Sequence, residues 1–283
     1  MPFDPQNLLN YDILEVRQDY GPRETAFYAL SIGLGRDPMD RRQLRYAGGA
    51  AQVTPFPTLP LVLAHPGFWL ADPRTGVDPL KVVHGEQGLT LHAPLKLAGT
   101  VVGKTRVTGL VDKGEGRGAL LYSEKTLHDA ADGTLLATTR NTTFLRGCGG
   151  FGGSGVAEKP THRLPETAPD FTVDTPTRPE QALWYRWNGD DNPLHLDPQV
   201  AARSGFERPI LHGLCSLGVT AHALLAVLCD YDETRFRGLD ARFTAPVLPG
   251  ETLRTEIWKD GSFRTRVVER DVVAIGNGRC DFD

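Results

Sequence analysis

The densest group of reactive side chains is Trp187-Asn188-Gly189-Asp190-Asp191-Asn192-Pro193-Leu194-His195-Leu196-Asp197-Pro198, which holds carboxylate, carboxamide and imidazole within a few residues. A carboxylate and an imidazole make an acid/base pair, and a carboxamide beside them can orient water. Pro193 keeps Asn192 out of the helical region, so Asp190, Asn192 and His195 lie on an extended or turning segment and are free to converge on one point. Asp197-Pro198 then reads as an N-cap followed by Pro at the first helical position, starting a short helix through Ala202. The same residues suit plain Asx-Pro turns, in which Asp or Asn bonds the local backbone. Downstream, Pro209-Ile210-Leu211-His212-Gly213-Leu214 enters a long apolar segment with a glycine at its start. Unpaired N–H groups and the positive end of a helix dipole there would stabilise a developing oxyanion. A glycine at that point also lets a helix pack closely on a strand, and the residues themselves leave both roles open.

These groups must be held by larger elements. Leu214, Leu217, Gly218, Ala221, Leu225 and Leu228 recur at helical spacing and predict one long, nearly all-apolar helix, which must be wrapped rather than laid on a surface. Strands are predicted at 118–128 and 135–144 around a turn at Asp129 to Gly133, and at 264–269 and 272–276 around Glu269-Arg270-Asp271. The halves resemble each other weakly. Leu89-Thr90-Leu91-His92-Ala93-Pro94, leading through Ala98-Gly99 to 100–107, matches Ala241-Arg242-Phe243-Thr244-Ala245-Pro246, leading through Pro249-Gly250 to 251–257. Each reads as strand, proline-bearing turn and strand. A helix wrapped by antiparallel strands makes an α+β layer in which the sheet curls, and the first half offers a shorter helical segment at Glu24 to Ile32. Between the halves, Gly147 to Gly155 reads G-C-G-G-F-G-G-S-G, and Pro160, Pro165, Pro169 and Pro176 follow. Such a run binds phosphate when a helix follows it; proline-punctuated polar sequence follows here, so it reads as a linker.

The 283 residues carry 31 Lys+Arg against 35 Asp+Glu, a net charge of −4, and 40% hydrophobic residues. That supports a sizeable core and excludes both a disordered tail and a basic nucleic-acid binder. Glycine and proline, 31 and 21 residues, suit many short elements joined by turns. Cys148, Cys215, Cys229 and Cys280 form neither a C-x-x-C pair nor a zinc-ligand spacing, so no metal site and no disulfide framework is expected, and a reducing compartment fits. Met1-Pro2-Phe3-Asp4-Pro5 lacks a secretory pattern, and the longest apolar stretch, Leu214 to Cys229, is 16 residues and interrupted by His222. Cys280-Asp281-Phe282-Asp283 is no peroxisomal address, and a cytoplasmic location without a membrane span is expected.

Gly189 to His195, read as G-D-D-N-P-L-H, followed by F-E-R-P-I-L-H-G-L-C at Phe206 to Cys215, resembles the (R)-specific enoyl-CoA hydratases, also called hydratase 2 or MaoC-like dehydratases. Val83-His84-Gly85-Glu86-Gln87, Val111-Asp112-Lys113-Gly114 and the segment from Ala241 to Gly250 extend the resemblance to the two-domain members, such as the hydratase region of the peroxisomal multifunctional enzyme. It covers nearly the whole chain. The resemblance implies a double hotdog, two curled antiparallel sheets each wrapped around a central helix. A degenerate acyl-CoA-binding half would span 1–146, a linker 147–169 and a catalytic half 170–283. It implies catalytic roles for Asp190, Asn192 and His195, an oxyanion amide at Gly213, and acyl-CoA contacts at His84, Gly85, Lys113 and Phe243, with no cofactor. Asn188 departs from the Ser or Thr common before the Gly-Asp pair.

The reaction implied is reversible hydration of a trans-2-enoyl-CoA to the (R)-3-hydroxyacyl-CoA, with Asp190 and His195 dividing the roles of base and acid in either order. Arg203, Arg208, Arg235, Arg237 and Arg242 join Lys113 as candidate contacts for the phosphates of CoA. A hotdog acyl-CoA thioesterase and a non-catalytic acyl-CoA-binding module are the competing readings. The apolar run from Phe56 to Trp69 suits an acyl tunnel or plain core. Two repeats in one chain already mimic a dimer of single hotdogs, so a monomer and a homodimer of such chains both fit.

Overall fold

The computed structural model describes residues 3–48, 53–153, 158 and 160–283; the end of the glycine run, Ser154 and Gly155, lies outside them. In chain order the elements are α1 (Pro5–Leu9), β1 (Val16–Tyr20), α2 (Pro22–Ser31), α3 (Arg41–Ala47), β2 (Val82–Leu91), β3 (Gly99–Asp112), β4 (Ala119–Asp129), β5 (Leu135–Leu145), β6 (Phe171–Pro176), α4 (Gln181–Tyr185), α5 (Pro198–Arg203), α6 (Gly213–Leu228), β7 (Phe236–Phe243), β8 (Thr252–Ile257), β9 (Ser262–Val267) and β10 (Val272–Phe282). Each half contains an antiparallel meander, β3-β4-β5 and β8-β9-β10, on whose last strand an earlier strand of that half pairs, β2 on β5 and β7 on β10, in the α+β arrangement expected from the sequence.

The two curled sheets are continuous. All ten strands form one sheet in the order β1-β3-β4-β5-β2-β7-β10-β9-β8-β6, joined where Glu86 to Thr90 of β2 pair antiparallel with Gly238 to Arg242 of β7. Glycine stands on both sides of this seam. A Cβ on Gly88 would collide with the Asp240 carboxylate, and one on Gly238 with the Leu89 carbonyl. β2 and β7 begin several residues before the Ala-Pro turns that announce them in the sequence, because their first halves carry glycines and charges (Gly85, Glu86, Arg237, Gly238) that hide a strand pattern.

In the second half, α6 has twelve of its sixteen residues buried and packs on β6, β8 and β10, as a helix apolar on every side must. In the first half α2 supplies ten helical residues, and the rest of the cover is an irregular segment, 53–81, with four short 3-10 turns. Pro55, Pro57, Pro60, Pro66, Pro73 and Pro79 forbid a continuous helix there. Three of its carbonyls are satisfied from the sheet. The buried Lys125 ammonium of β4 donates to the carbonyls of Leu63 at 2.6 Å, Pro60 at 3.0 Å and Leu61 at 3.4 Å. The two halves also meet through their helices, since a Cβ on Gly218 of α6 would lie 2.5 Å from the Ile32 side chain that ends α2. Among the described residues no helix is long and apolar enough to cross a membrane.

Candidate active site

The reactive turn is anchored at both ends by its own polar side chains. Gly189 sits at φ +106°, a left-handed conformation open to glycine, and turns the chain after α4. The Asn192 side chain accepts the Leu194 N–H at 3.0 Å and caps a single 3-10 turn, Pro193–His195. Asp197 accepts the Gln199 N–H at 2.7 Å and starts α5. Asn192 is therefore a turn-former, as the plain Asx-Pro reading expects, and the residue is exposed.

His195 is buried, and its Nδ1 lies 2.8 Å from the Ile210 carbonyl. A carbonyl only accepts, so Nδ1 carries the proton and Nε2 keeps its lone pair. Burial lowers the His195 pKa, against opposition from the Ile210 carbonyl and the Asp190 charge, which keeps the ring a neutral base at pH 7. A carboxylate oxygen of Asp190, a ring nitrogen of His195 and a ring nitrogen of His212 all lie within 4.8 Å of one another. This is also the one group among the described residues whose donors could hold a metal ion, where the sequence suggested none.

His212 had no assigned part in the sequence reading. Its ring stacks on His195 with centroids 3.8 Å apart and 27° between planes, and its Nε2 donates to the Asp190 carbonyl at 3.4 Å. Burial, then the neighbouring His195, pushes its pKa far down, so it is a neutral ring packed on His195. Its place directly before Gly213 was visible; the stacking depended on how α6 meets the turn.

Gly213 is the first residue of α6, and among the described residues its N–H has no acceptor. The glycine also has the second role left open above. A Cβ there would come 3.3 Å from the Phe243 ring, so its absence lets the ring lie against the helix end. Phe243 in turn packs edge-on against His84, centroids 4.8 Å apart. His84 donates to the Glu86 carbonyl at 3.2 Å, and burial takes its pKa down to about 4. Gly85 forms the bulge between His84 and Glu86, 3.1 Å from the Thr142 carbonyl at its Cβ position.

A cleft of about 220 Å³ gathers Gly85, Glu86, Lys113, Tyr122, Arg242 and Phe243. Three of the four acyl-CoA contacts expected from the sequence thus line one cleft, and the fourth, His84, packs edge-on against Phe243. At its mouth Lys113 pairs with Glu158 at 2.6 Å and Arg242 with Glu86 at 2.6 Å. Of the five arginines considered, Arg242 lines this cleft; Arg235 and Arg237 bond Asp283 at the other end of β7.

A carboxylate and a neutral imidazole close to each other are chemically suited to proton transfer, and His212 beside them leads directly into the start of α6. Comparison with known proteins agrees in kind. Residues 19–147 match the MFE-2 hydratase 2 N-terminal domain and residues 160–278 the MaoC like domain. The chain is 40% identical over 258 residues to 3-hydroxyacyl-thioester dehydratase Y of Mycobacterium tuberculosis, covering 89% of this chain and 88% of that one. It is 36% identical to the peroxisomal enoyl-CoA hydratase 2 of Arabidopsis thaliana, covering 95% and 92%. Among solved structures, a MaoC-like dehydratase from Phytophthora capsici is 33% identical with a TM-score of 0.86 and 99% of each chain covered. The chain belongs to the two-domain hydratase 2 family of MaoC-like dehydratases.

Proposed function

We propose that this enzyme adds water reversibly to trans-2-enoyl-CoA thioesters to give (R)-3-hydroxyacyl-CoA. The observation that carries the reading is the convergence of Asp190 and His195 with His212, the residue directly before Gly213, whose N–H has no acceptor among the described residues. Hydration puts OH on C3 and H on C2, and the costly species is the thioester enolate formed as water attacks. In this reading the Gly213 N–H donates to the thioester oxygen, where the positive end of α6 adds to the stabilisation. His195 Nε2 takes a proton from the attacking water, Asp190 accepts that water's other hydrogen and orients it, and the proton gained by the pair returns at C2. The Asn192 carboxamide oxygen is committed to Leu194, so its NH₂ is the part left to hold the water or its partners.

His84, Gly85 and Phe243 would line the path of the thioester and Lys113 would meet a CoA phosphate, supported by their grouping around the cleft. The division into an acyl-CoA-binding half at 1–146, a linker and a catalytic half at 170–283 follows from the same assignment. The four buried free cysteines support a reducing, cytoplasmic setting.

The test is turnover of crotonyl-CoA and longer enoyl-CoAs. Asp190→Asn and His195→Gln should each lose about 10²-fold or more in kcat with the fold retained. Near-wild-type hydration in either variant would remove the assignment. The product should be the (R) alcohol. Release of free CoA, read with a thiol reagent, would instead favour thioesterase chemistry.

A further inference from the structure

Ser31 ends α2 in the first half and is fully buried, yet it touches both parts of the second-half site. Its hydroxyl donates back to the Tyr28 carbonyl at 2.7 Å, which turns an oxygen lone pair toward the Asn188 side-chain NH₂ at 2.9 Å. Asn188 donates also to the Tyr185 carbonyl at 2.9 Å, so the carboxamide is held from two sides immediately before Gly189 and Asp190. The Ser31 carbonyl faces the other way. It accepts from Gln181 Nε2 at 3.2 Å and from the Cys215 thiol at 3.5 Å. Cys215 lies in the first turn of α6, two residues after Gly213, and Gln181 opens α4, which leads into the reactive turn. Gln181 and Cys215 are buried as deeply as Ser31.

We infer that Ser31 is a positioning residue that sets the Asp190 turn and the Gly213 amide relative to each other from the opposite half of the chain. The inference rests on the hydratase reading and adds a residue to it. One buried serine bonds the segment carrying the carboxylate and the helix carrying the oxyanion donor, and such a shared anchor fixes the separation that enolate formation requires. It also gives Asn188 a purpose. A carboxamide NH₂ spans from the turn to the Ser31 oxygen while keeping its bond to Tyr185. The first half would then supply catalytic geometry as well as substrate surface.

The experiment is a mutant cycle on the full chain with crotonyl-CoA. Ser31→Ala should lower kcat about 10-fold with KM changed less than about twofold, because misplacement of a reacting group affects the chemical step more than binding. Asn188→Ala should do the same, and the double variant should lose no more than the larger single loss. Thr25→Val is the control. It removes an equally buried hydrogen bond from the same helix, to the Leu97 carbonyl at 3.2 Å, and should lower the melting temperature while leaving kcat unchanged. If Ser31→Ala keeps wild-type kcat, or Thr25→Val loses as much kcat as Ser31→Ala, or the Ser31 and Asn188 losses multiply, the inference is wrong. Absence of hydration by the wild-type chain would instead sink the proposed activity and this inference with it.

Discussion

The histidine at the centre of the site owes its chemistry to two neighbours that are not themselves reactive. The Ile210 carbonyl fixes the tautomer, the His212 ring stacks on one face, and burial lowers the His195 pKa below the usual 6.5. The neutral form is the working base. Activity should therefore persist to more acidic pH than a free imidazole allows, with the acid limb of kcat/KM falling below pH 6.5; a limb above 6.5 would contradict the buried-base arrangement. Gly213 makes a second prediction. An alanine Cβ 3.3 Å from the Phe243 ring forces the ring or the helix end to shift by a few tenths of an ångström. Gly213→Ala should lose at least about tenfold in kcat, since a displaced oxyanion donor is costly. Phe243→Leu in the same chain should return part of that loss by making room; no recovery would mean that the ring does not control the amide.

The elements that carry these residues differ in what holds them. α6 needs nothing beyond its sequence and a sheet to bury it. The irregular cover of the first half is tied to the sheet by Lys125, whose ammonium gives three of its carbonyls a donor. Burial brings the Lys125 pKa down to about 7, and among the described residues no carboxylate pairs with it. Lys125→Met keeps the length and apolar stem but leaves the Pro60 and Leu63 carbonyls without that donor. It should cost about 2–3 kcal/mol in denaturant unfolding, the scale of buried polar groups left unsatisfied. A change below about 0.5 kcal/mol, the range of ordinary surface substitutions, would show the segment to be held by packing alone.

Across the molecule, the continuous sheet and the buried imidazoles tie stability to pH. Burial takes His84 and His222 to about 4 in the folded chain, against about 6.5 when unfolded. Below pH 6.5 the unfolded chain binds protons that the folded chain refuses. Stability present above that pH is therefore lost progressively as pH falls through about 4. Melting temperature measured from pH 7 to 4 should decline over this window, beginning before most carboxylates titrate; a flat profile down to pH 4.5 would rule the imidazoles out as its cause. The seam between β2 and β7 makes the two halves one sheet, and α2 packs against α6, so their unfolding is expected as one transition.

The amino-acid order was enough for the long helix, because an apolar stripe on every face admits no other burial, and for the reactive turn, because Pro193 and Pro198 restrict the chain locally whatever surrounds it. The doubled α+β plan was legible from two short strand-turn-strand matches and from the motif resemblance. Contacts distant along the chain were not legible. The stacking of His212 on His195 and the approach of Phe243 to Gly213 depend on where the start of α6 meets the reactive turn and the end of β7, and the grip of Ser31 on Asn188 spans 157 positions. Merging of the two sheets at Gly88 and Gly238 likewise follows from two backbones drawing close, and a glycine in a sequence does not name the backbone it makes room for. Local sterics are written in neighbouring residues; the pairing of distant surfaces is settled only when the core closes and leaves one arrangement in which every buried polar group finds its partner.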